Sequence, residues 1–452
     1  MLFTIEWLAG IFPDCQGLNQ PKQYIDEVIT DSRKQRKNTL FIPIVGERFD
    51  GHQFIEQAYQ NGAAAVLWEK DKILPDSLPS DFPVFFVDDT TIALQQLAKA
   101  YRKQIKPTVI GITGSNGKTS TKDIVSAVLR SSYRTHATVG NLNNHIGMPL
   151  TILSMARDTE MLVLEMGMSN FGEIELLSRI AEPDYAIITN IGESHIEFLG
   201  SREGILQAKL EIRKGMNEEG ILIFDGDEAL LKEARAVGHT IAVGFSQSND
   251  YMIQQTELTG NQTTFDLSNG HTYTIPLLGR HHAKNTSYAI ALAEQLNIGQ
   301  QAIKAALDNL QLTSMRFEIS KAKNGATMIN DAYNASPTSM KAAIDIVKQM
   351  AGYDKKVLVL GDIFELGTYS EVLHQRVAEV IEAPITAVYT YGQAAVAISK
   401  QAALEHPKLD IQHFTSKDAL IQQLNDCAGA DTLILFKASR GMAFETLVQA
   451  VQ

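Results

Sequence analysis

The 452-residue sequence is poor in cysteine, with Cys15 and Cys427 alone at opposite ends of the chain. Neither stands in a CxxC or Cys/His cluster, which excludes a disulfide framework and a structural zinc site and suits a reducing compartment. Long apolar runs are missing as well, since none approaches the ~18 residues of a membrane span. The apolar start, Met1 to Phe12, carries Glu6 where a secretory signal would want Lys or Arg. Its plainer reading is a short helix capped by Thr4, with Trp7, Leu8 and Ile11 on one face. We therefore expect a cytoplasmic protein without membrane insertion. Basic runs are also lacking: 40 Lys and Arg against 52 Asp and Glu leave a net charge of −12. No block of roughly five or six cations is available to neutralise a phosphate backbone, so nucleic acid is disfavoured as a partner. Any anionic ligand must be held by local donors working against the protein's mean field.

What is present is ordinary globular composition, 44% hydrophobic with 31 glycines and 13 prolines. At ~150 residues per domain the length suggests about three domains. Short β-branched runs alternate with amphipathic stretches, the α/β pattern of parallel sheets. Buried strands are expected at Thr108 to Thr113, Met161 to Met166, Tyr185 to Ile191, Val357 to Leu360, Ala387 to Tyr391 and Thr432 to Phe436. Between Thr263 and Ile275 the alternation of Phe265, Leu267, Tyr273 and Ile275 around Asn269-Gly270 predicts a hairpin with a type I′ turn. The basic stretch Arg102 to Pro107 reads as a first linker and Gln311 to Met315 as a second.

The segment Gly111 to Ser120 lies between a predicted strand and a predicted helix from Lys118 to Arg130, the setting of a phosphate-binding loop. Its glycines let backbone N–H groups approach phosphate oxygens at a helix N-terminus. Lys118 can reach the β/γ phosphates, and the Thr119 hydroxyl can ligate Mg²⁺. Ile112 stands where the usual pattern has its first glycine, so the loop is a variant that turns at Gly114. Thr113, Gly114, Ser115, Asn116, Gly117, Lys118 and Thr119 are the expected ATP-binding residues.

Glu165 falls near the end of the predicted strand Met161 to Met166 and His195 just beyond Tyr185 to Ile191, so both should emerge at the carboxyl edge of the sheet, where open α/β folds bind ligands. They suit Mg²⁺, with His195 acting in ligation or orientation; the ordinary alternatives are a solvated carboxylate and a hydrogen-bonded histidine. On a helix predicted from Arg202 to Met216, Ile205, Lys209, Ile212 and Met216 share one apolar stripe. A lysine there ordinarily snorkels to solvent, because a buried ammonium is costly.

The variant loop Thr-Gly-Ser-Asn-Gly-Lys-Thr resembles that of the Mur ligase family, which joins amino acids or peptides to UDP-N-acetylmuramic acid. The resemblance runs from about Thr30 to Glu445. Thr30-Asp31-Ser32-Arg33, Leu40-Phe41-Ile42-Pro43 and Gly46-Glu47-Arg48-Phe49-Asp50-Gly51-His52 look like the uridine-nucleotide domain. Gly140-Asn141-Leu142-Asn143-Asn144-His145-Ile146-Gly147 resembles an Asn-rich substrate loop. Asp331-Ala332-Tyr333-Asn334-Ala335-Ser336-Pro337, Gly361 to Gly367 with His374, and Ala438-Ser439-Arg440-Gly441-Met442 are most similar to the members that add D-alanyl-D-alanine. Three positions depart from the family pattern: Ser336 replaces Asn, Ala438 replaces Gly, and His282 replaces Asn, while Asn285 is kept.

The resemblance implies an α/β fold of three domains. Residues 1–105 would bind the UDP substrate, 106–312 would form a central P-loop ATPase-like parallel sheet, and 313–452 a Rossmann-like domain for the incoming dipeptide. It implies Lys118, Lys209, His195 and Glu165 as catalytic residues, and Asn285, Arg316 and Asp331 as further ATP contacts. For Arg316 and Asp331 a surface salt bridge and a strand-end cap are the ordinary alternatives. Ser32, Arg33, Gly46, Asp50, Asn141, Asn144, Asn334 and Arg440 would bind substrate. Two Mg²⁺ ions would be held by Thr119, Glu165, His195 and Lys209, the last as a CO₂-derived carbamate whose oxygens replace an ammonium. Burial favours that chemistry by raising the neutral amine fraction. The expected partners are UDP-N-acetylmuramoyl-tripeptide and D-alanyl-D-alanine, and the expected state is a monomer. Two other readings stay open: a relative adding a single amino acid, as folylpolyglutamate-type ligases do, and a P-loop ATPase that makes no bond.

Overall fold

The computed structural model describes residues 1–47 and 49–452, leaving Arg48 of the Gly46–His52 string outside the described residues. Three α/β units follow one another, on sheets of five, nine and six strands. In the first, Glu27–Ile29, Thr39–Phe41, Ala63–Glu69 and Val84–Val87 run parallel, and the short Cys15–Gln16 closes one edge antiparallel. In the last, five parallel strands are edged by antiparallel Glu318–Lys321. The parallel strands are apolar along their whole length because helices cover both faces. Val109, Ile110 and Ile112, for example, are all fully buried.

The middle sheet positions the site. Strand Thr108–Thr113 lies between Met161–Glu165 and Tyr185–Ile188, all parallel. After Thr113 the chain goes to one side of this strand, through Thr135–Ala137 and Met161–Glu165, and then crosses to the other at Tyr185. That reversal opens a crevice beyond the carboxyl ends. The register pairs Glu165 with Ile112 and Ile188 with Thr113, so the three strand ends finish level.

Four local expectations change. The hairpin forms at the far edge of this sheet as Gln262–Leu267 against His271–Ile275, but Leu267 pairs with His271, leaving three loop residues. Only Gly270 among them has positive φ, +83°. A two-residue type I′ turn needs two such residues; a three-residue loop with glycine in the left-handed position needs one. The helix from Arg202 is α-helical only to Leu210 and continues as a 3₁₀ turn, Glu211–Gly215. Strand Tyr185–Ile188 stops three residues short of Ile191. The basic run from Arg102 continues helix Thr90–Ile105, which Lys106 ends in the left-handed conformation. Its cations clasp Glu182 of the middle unit: Lys99 at 3.0 Å, Lys103 at 3.5 Å, and Arg102 closer still. The Tyr101 hydroxyl donates to the Met155 carbonyl at 2.9 Å on the same seam, so the first unit is docked on the second.

Candidate active site

The segment after Thr113 is shaped by its neighbours. Gly114 has φ +147°, and a Cβ there would stand 1.9 Å from the Thr189 hydroxyl. Asn190 and Thr189 hold Asn116 by its backbone: the Asn116 N–H donates to Asn190 Oδ1 at 3.0 Å, and its carbonyl accepts from the Thr189 hydroxyl at 2.6 Å. Ser115 Oγ accepts from the Gly192 N–H. Gly117, at φ +80°, is the residue before helix Lys118–Arg130, so the helix opens with free N–H groups and no side-chain cap. An anion is the natural partner for such an end. Lys118 folds back to donate to the Gly114 carbonyl at 2.7 Å and the Ser115 carbonyl at 3.3 Å. Burial, with Arg316 in support, lowers its pKa against the pull of Glu165.

The loop opens into a cavity of about 650 Å³ between the middle and last units. Among the expected ATP contacts, Ser115 to Thr119, Asn285, Arg316 and Asp331 line it. Thr113 and Gly114 do not: Thr113 is fully buried and donates to the Met166 carbonyl at 2.9 Å. Glu165 and His195 also line the cavity. Glu165 is 3% exposed; one oxygen accepts from Asn143 Nδ2 at 2.8 Å and the other has no partner among the described residues. An unpartnered buried carboxylate oxygen beside a phosphate-binding loop is chemically ready for a cation. His195, at φ +66°, places Nδ1 2.5 Å from Glu365 Oε2, with the ring N–H poorly aligned for a hydrogen bond. That contact, ahead of the opposing effect of burial, lowers the Glu365 pKa.

Several contacts tie the two walls together. Arg316 donates to the Thr119 hydroxyl at 3.1 Å while its guanidinium lies 4.2 Å over the Tyr333 ring. Ser336 caps helix Pro337–Gln349 in a capping box, and its hydroxyl donates to Asn116 Oδ1 at 2.7 Å. Thr338 donates to Glu193 at 2.7 Å. One hollow therefore holds a phosphate loop on one wall and, on the other, Asn334 and Arg440.

Matches to three family models cover most of the chain: the Mur ligase family catalytic domain at residues 24–102, the Mur ligase middle domain at 112–293, and the Mur ligase glutamate ligase domain at 315–440. The chain is 50% identical over 427 residues to the UDP-N-acetylmuramoyl-tripeptide–D-alanyl-D-alanine ligase of Bacillus subtilis, covering 94% of this chain and 93% of that one. The chain belongs to the Mur ligase family. A crystal structure of MurF from Acinetobacter baumannii superposes with a TM-score of 0.88 at 30% identity, over 99% of this chain and 98% of that one. MurF ligase from Thermotoga maritima in complex with ADP superposes at 0.84 with 28% identity, over 94% and 96%.

The remaining expected Mur ligase positions are scattered more widely. Asn141 and Asn144 line the cavity, but the Asn144 side chain caps helix Gly147–Leu153 by accepting from the Gly147 N–H at 2.8 Å. Arg440 is exposed, 2.9 Å from Glu445. Ser32, Arg33, Gly46 and Asp50 lie in the first unit and none lines the cavity. Arg33 is exposed and forks onto Asp31 through two 2.8 Å bonds. Ser32 is buried and donates to Gln57. Asp50 caps the turn Gly51–Phe54 and binds Lys72 at 2.9 Å. Burial would raise its pKa, yet Lys72 and His52 outweigh it and hold it at about 2.

Lys209 does not snorkel. It is 1% exposed and does not line the cavity. Burial, then repulsion from Lys118, lowers its pKa well below the usual lysine value. The sequence reading missed Lys437. It is 3% exposed, lines the cavity and sits 2.5 Å from Asp331 Oδ2, fixing that carboxylate. Its signal was a charge ending the otherwise apolar strand Thr432–Lys437. Asn143, which orients Glu165, and Tyr333, under Arg316, were quoted in motifs without a role.

Proposed function

We propose that this chain is an ATP-dependent ligase that adds D-alanyl-D-alanine to UDP-N-acetylmuramoyl-tripeptide in peptidoglycan precursor synthesis. The observation that carries it is the shared cavity, where a phosphate-binding loop faces Asn334 and Arg440 across one hollow. An ATPase that makes no bond has no need for acceptor-binding groups opposite its loop. A carboxylate and an amine do not condense spontaneously in water, so the carboxyl must first gain a better leaving group. The terminal carboxylate oxygen of the tripeptide attacks the γ-phosphorus of ATP, the bond to the β–γ bridging oxygen breaks, and ADP leaves. The dipeptide amine then attacks the acyl-phosphate carbonyl, loses a proton, and expels inorganic phosphate.

Lys118 leaves its loop carbonyls for the β/γ phosphates and follows the charge as it moves. Arg316 and Asp331 hold the nucleotide from the last unit, and the closed walls keep water from the acyl phosphate. We assign the first unit, to about residue 105, to the uridine end, and residues from about 313 to the dipeptide, with Asn334 and Arg440 as its contacts.

Magnesium fits the residues present. Glu165 offers an unpartnered buried oxygen, Thr119 a hydroxyl now held by Arg316, and His195 the ring nitrogen that does not face Glu365. Among the described residues no three His, Cys, Asp or Glu side chains cluster for a metal. A hard cation here would rely on phosphate oxygens and on Lys209 as a carbamate. When bound, Mg²⁺ neutralises charge on the transferring phosphoryl group. Among the described residues no helix is long and apolar enough to cross a membrane, and we place the reaction in the cytoplasm. Measuring ADP release with single amino acids and D-alanyl-D-alanine as acceptors tests the assignment: the dipeptide should be strongly preferred, and equal release without any acceptor would reject it.

A further inference from the structure

Helix Arg280–Gln295 begins at the cavity, and its first two turns present His282 and Asn285 there, 4% and 5% exposed. The Asn285 amide lies against the phosphate loop: a Cβ on Gly117 would be 3.2 Å from both its oxygen and its nitrogen. His282 stands one turn earlier on the same face, away from the phosphate end. Opposite are Ala342, Ala343 and Ile346 of helix Pro337–Gln349, which also line the cavity. At Gly279, just before the first helix, φ is +109° and a Cβ would meet Ile346 Cδ1 at 2.8 Å. The His281 and His282 rings lie 4.2 Å apart at this corner. This corner is apolar on one side and carries imidazoles on the other, which suits a flat heteroaromatic ring better than a phosphate.

His282 Nδ1 is sealed from solvent and has no hydrogen-bond partner among the described residues. Burial, then the neighbouring His281, keeps the imidazole neutral by lowering its pKa well below the usual value. A neutral ring carries one proton. On sealed Nδ1 that proton would be an orphaned buried donor, rarer in proteins than an unused acceptor. The proton therefore sits on Nε2, and the ring offers the cavity one donor and no acceptor.

We propose that His282 reads the purine of the nucleotide by donation alone, so that the enzyme turns over 6-oxopurine triphosphates as well as ATP. The inference rests on the ATP-dependent ligase reading. A lone donor can bond purine N7, which adenine and hypoxanthine share, and it gives no reward for the 6-amino group. A carboxamide would donate to N7 and accept from that amino group together, the pairing that singles out adenine.

The test measures kcat/KM for ATP, ITP and 7-deaza-ATP with the full chain and both other substrates saturating. With the wild-type enzyme, ITP should lie within about fivefold of ATP, whereas 7-deaza-ATP, lacking the acceptor, should lose about tenfold. His282→Asn should raise the ATP-to-ITP ratio of kcat/KM at least threefold. Rejection of ITP by more than a hundredfold overturns the proposal, as does undiminished turnover of 7-deaza-ATP. A smaller change of the ratio in a folded His282→Asn enzyme also overturns it. Absence of turnover with ATP itself marks failure of the ligase reading instead.

Discussion

Replacing Lys209 separates chemistry from packing. The side chain is 1% exposed, so as an ammonium it carries a desolvation penalty of several kcal/mol. Methionine keeps most of the stem and removes the charge. Lys209→Met should therefore fold, with stability unchanged or raised by about 1 to 4 kcal/mol. If the lysine works as a carbamate ligand, the same variant should lose activity by a factor on the order of 10²–10³, the scale for removing one preorganised electrostatic group. Lys209→Arg should be equally inactive, because guanidinium cannot present two oxygens. Lys209→Ala should regain part of its rate in a short carboxylic acid that enters the vacancy.

The pH dependence of stability gives an independent reading. Below both pKa values the ammonium is buried in the folded chain and the full penalty applies. As pH climbs through the lowered folded pKa, the folded chain sheds its proton while the unfolded chain keeps one until about 10.4. The unfolded state then binds more protons, so stability rises with pH across that window, and Lys209→Met should flatten the rise. ADP release and thermal denaturation of the four proteins are the assays. A Lys209→Arg or Lys209→Met enzyme with wild-type kcat/KM would refute the ligand role.

Lys118→Ala should abolish turnover yet leave the uridine substrate bound, as measured by calorimetry, because the residues assigned to that ligand lie in another unit. Ser336→Ala removes both a helix cap and the bond to Asn116, so denaturation should show a loss of about 1 kcal/mol or more, together with a raised KM for ATP. Lys437→Met leaves Asp331 without its partner 2.5 Å away and should cost about 3 kcal/mol in denaturant midpoint analysis.

The parts legible in the sequence were those with local causes. Helix Lys118–Arg130 has the bounds its pattern predicts, because a glycine in the left-handed conformation starts it and an amphipathic run sustains it. Thr4 caps the first helix through the Trp7 N–H, as its position suggested. Strand Tyr185–Ile188 was read too long because, past the Thr189 N–H that still reaches the Thr113 carbonyl, the Thr189 and Asn190 side chains and the Gly192 N–H bond the phosphate loop. The hairpin turn was misread because Asn-Gly fits two turn types, and pairing register, a long-range property, decides between them. Lys209 on an apolar stripe was visible, but whether it reached solvent depended on packing that no helical period records. Lys437 was missed for the same reason: a strand-end lysine becomes distinctive only when another strand brings Asp331 to it.

The central claim is that one cavity activates a carboxylate with ATP and passes it to a dipeptide. Mass spectrometry of a reaction containing the chain, ATP, Mg²⁺, UDP-N-acetylmuramoyl-tripeptide and D-alanyl-D-alanine tests it most directly. The product should weigh the sum of the tripeptide substrate and the dipeptide less one water, with one ADP formed per product and far slower turnover when the dipeptide is replaced by a single amino acid. ADP accumulating at the same rate with no new mass would contradict the account and leave the chain an ATPase.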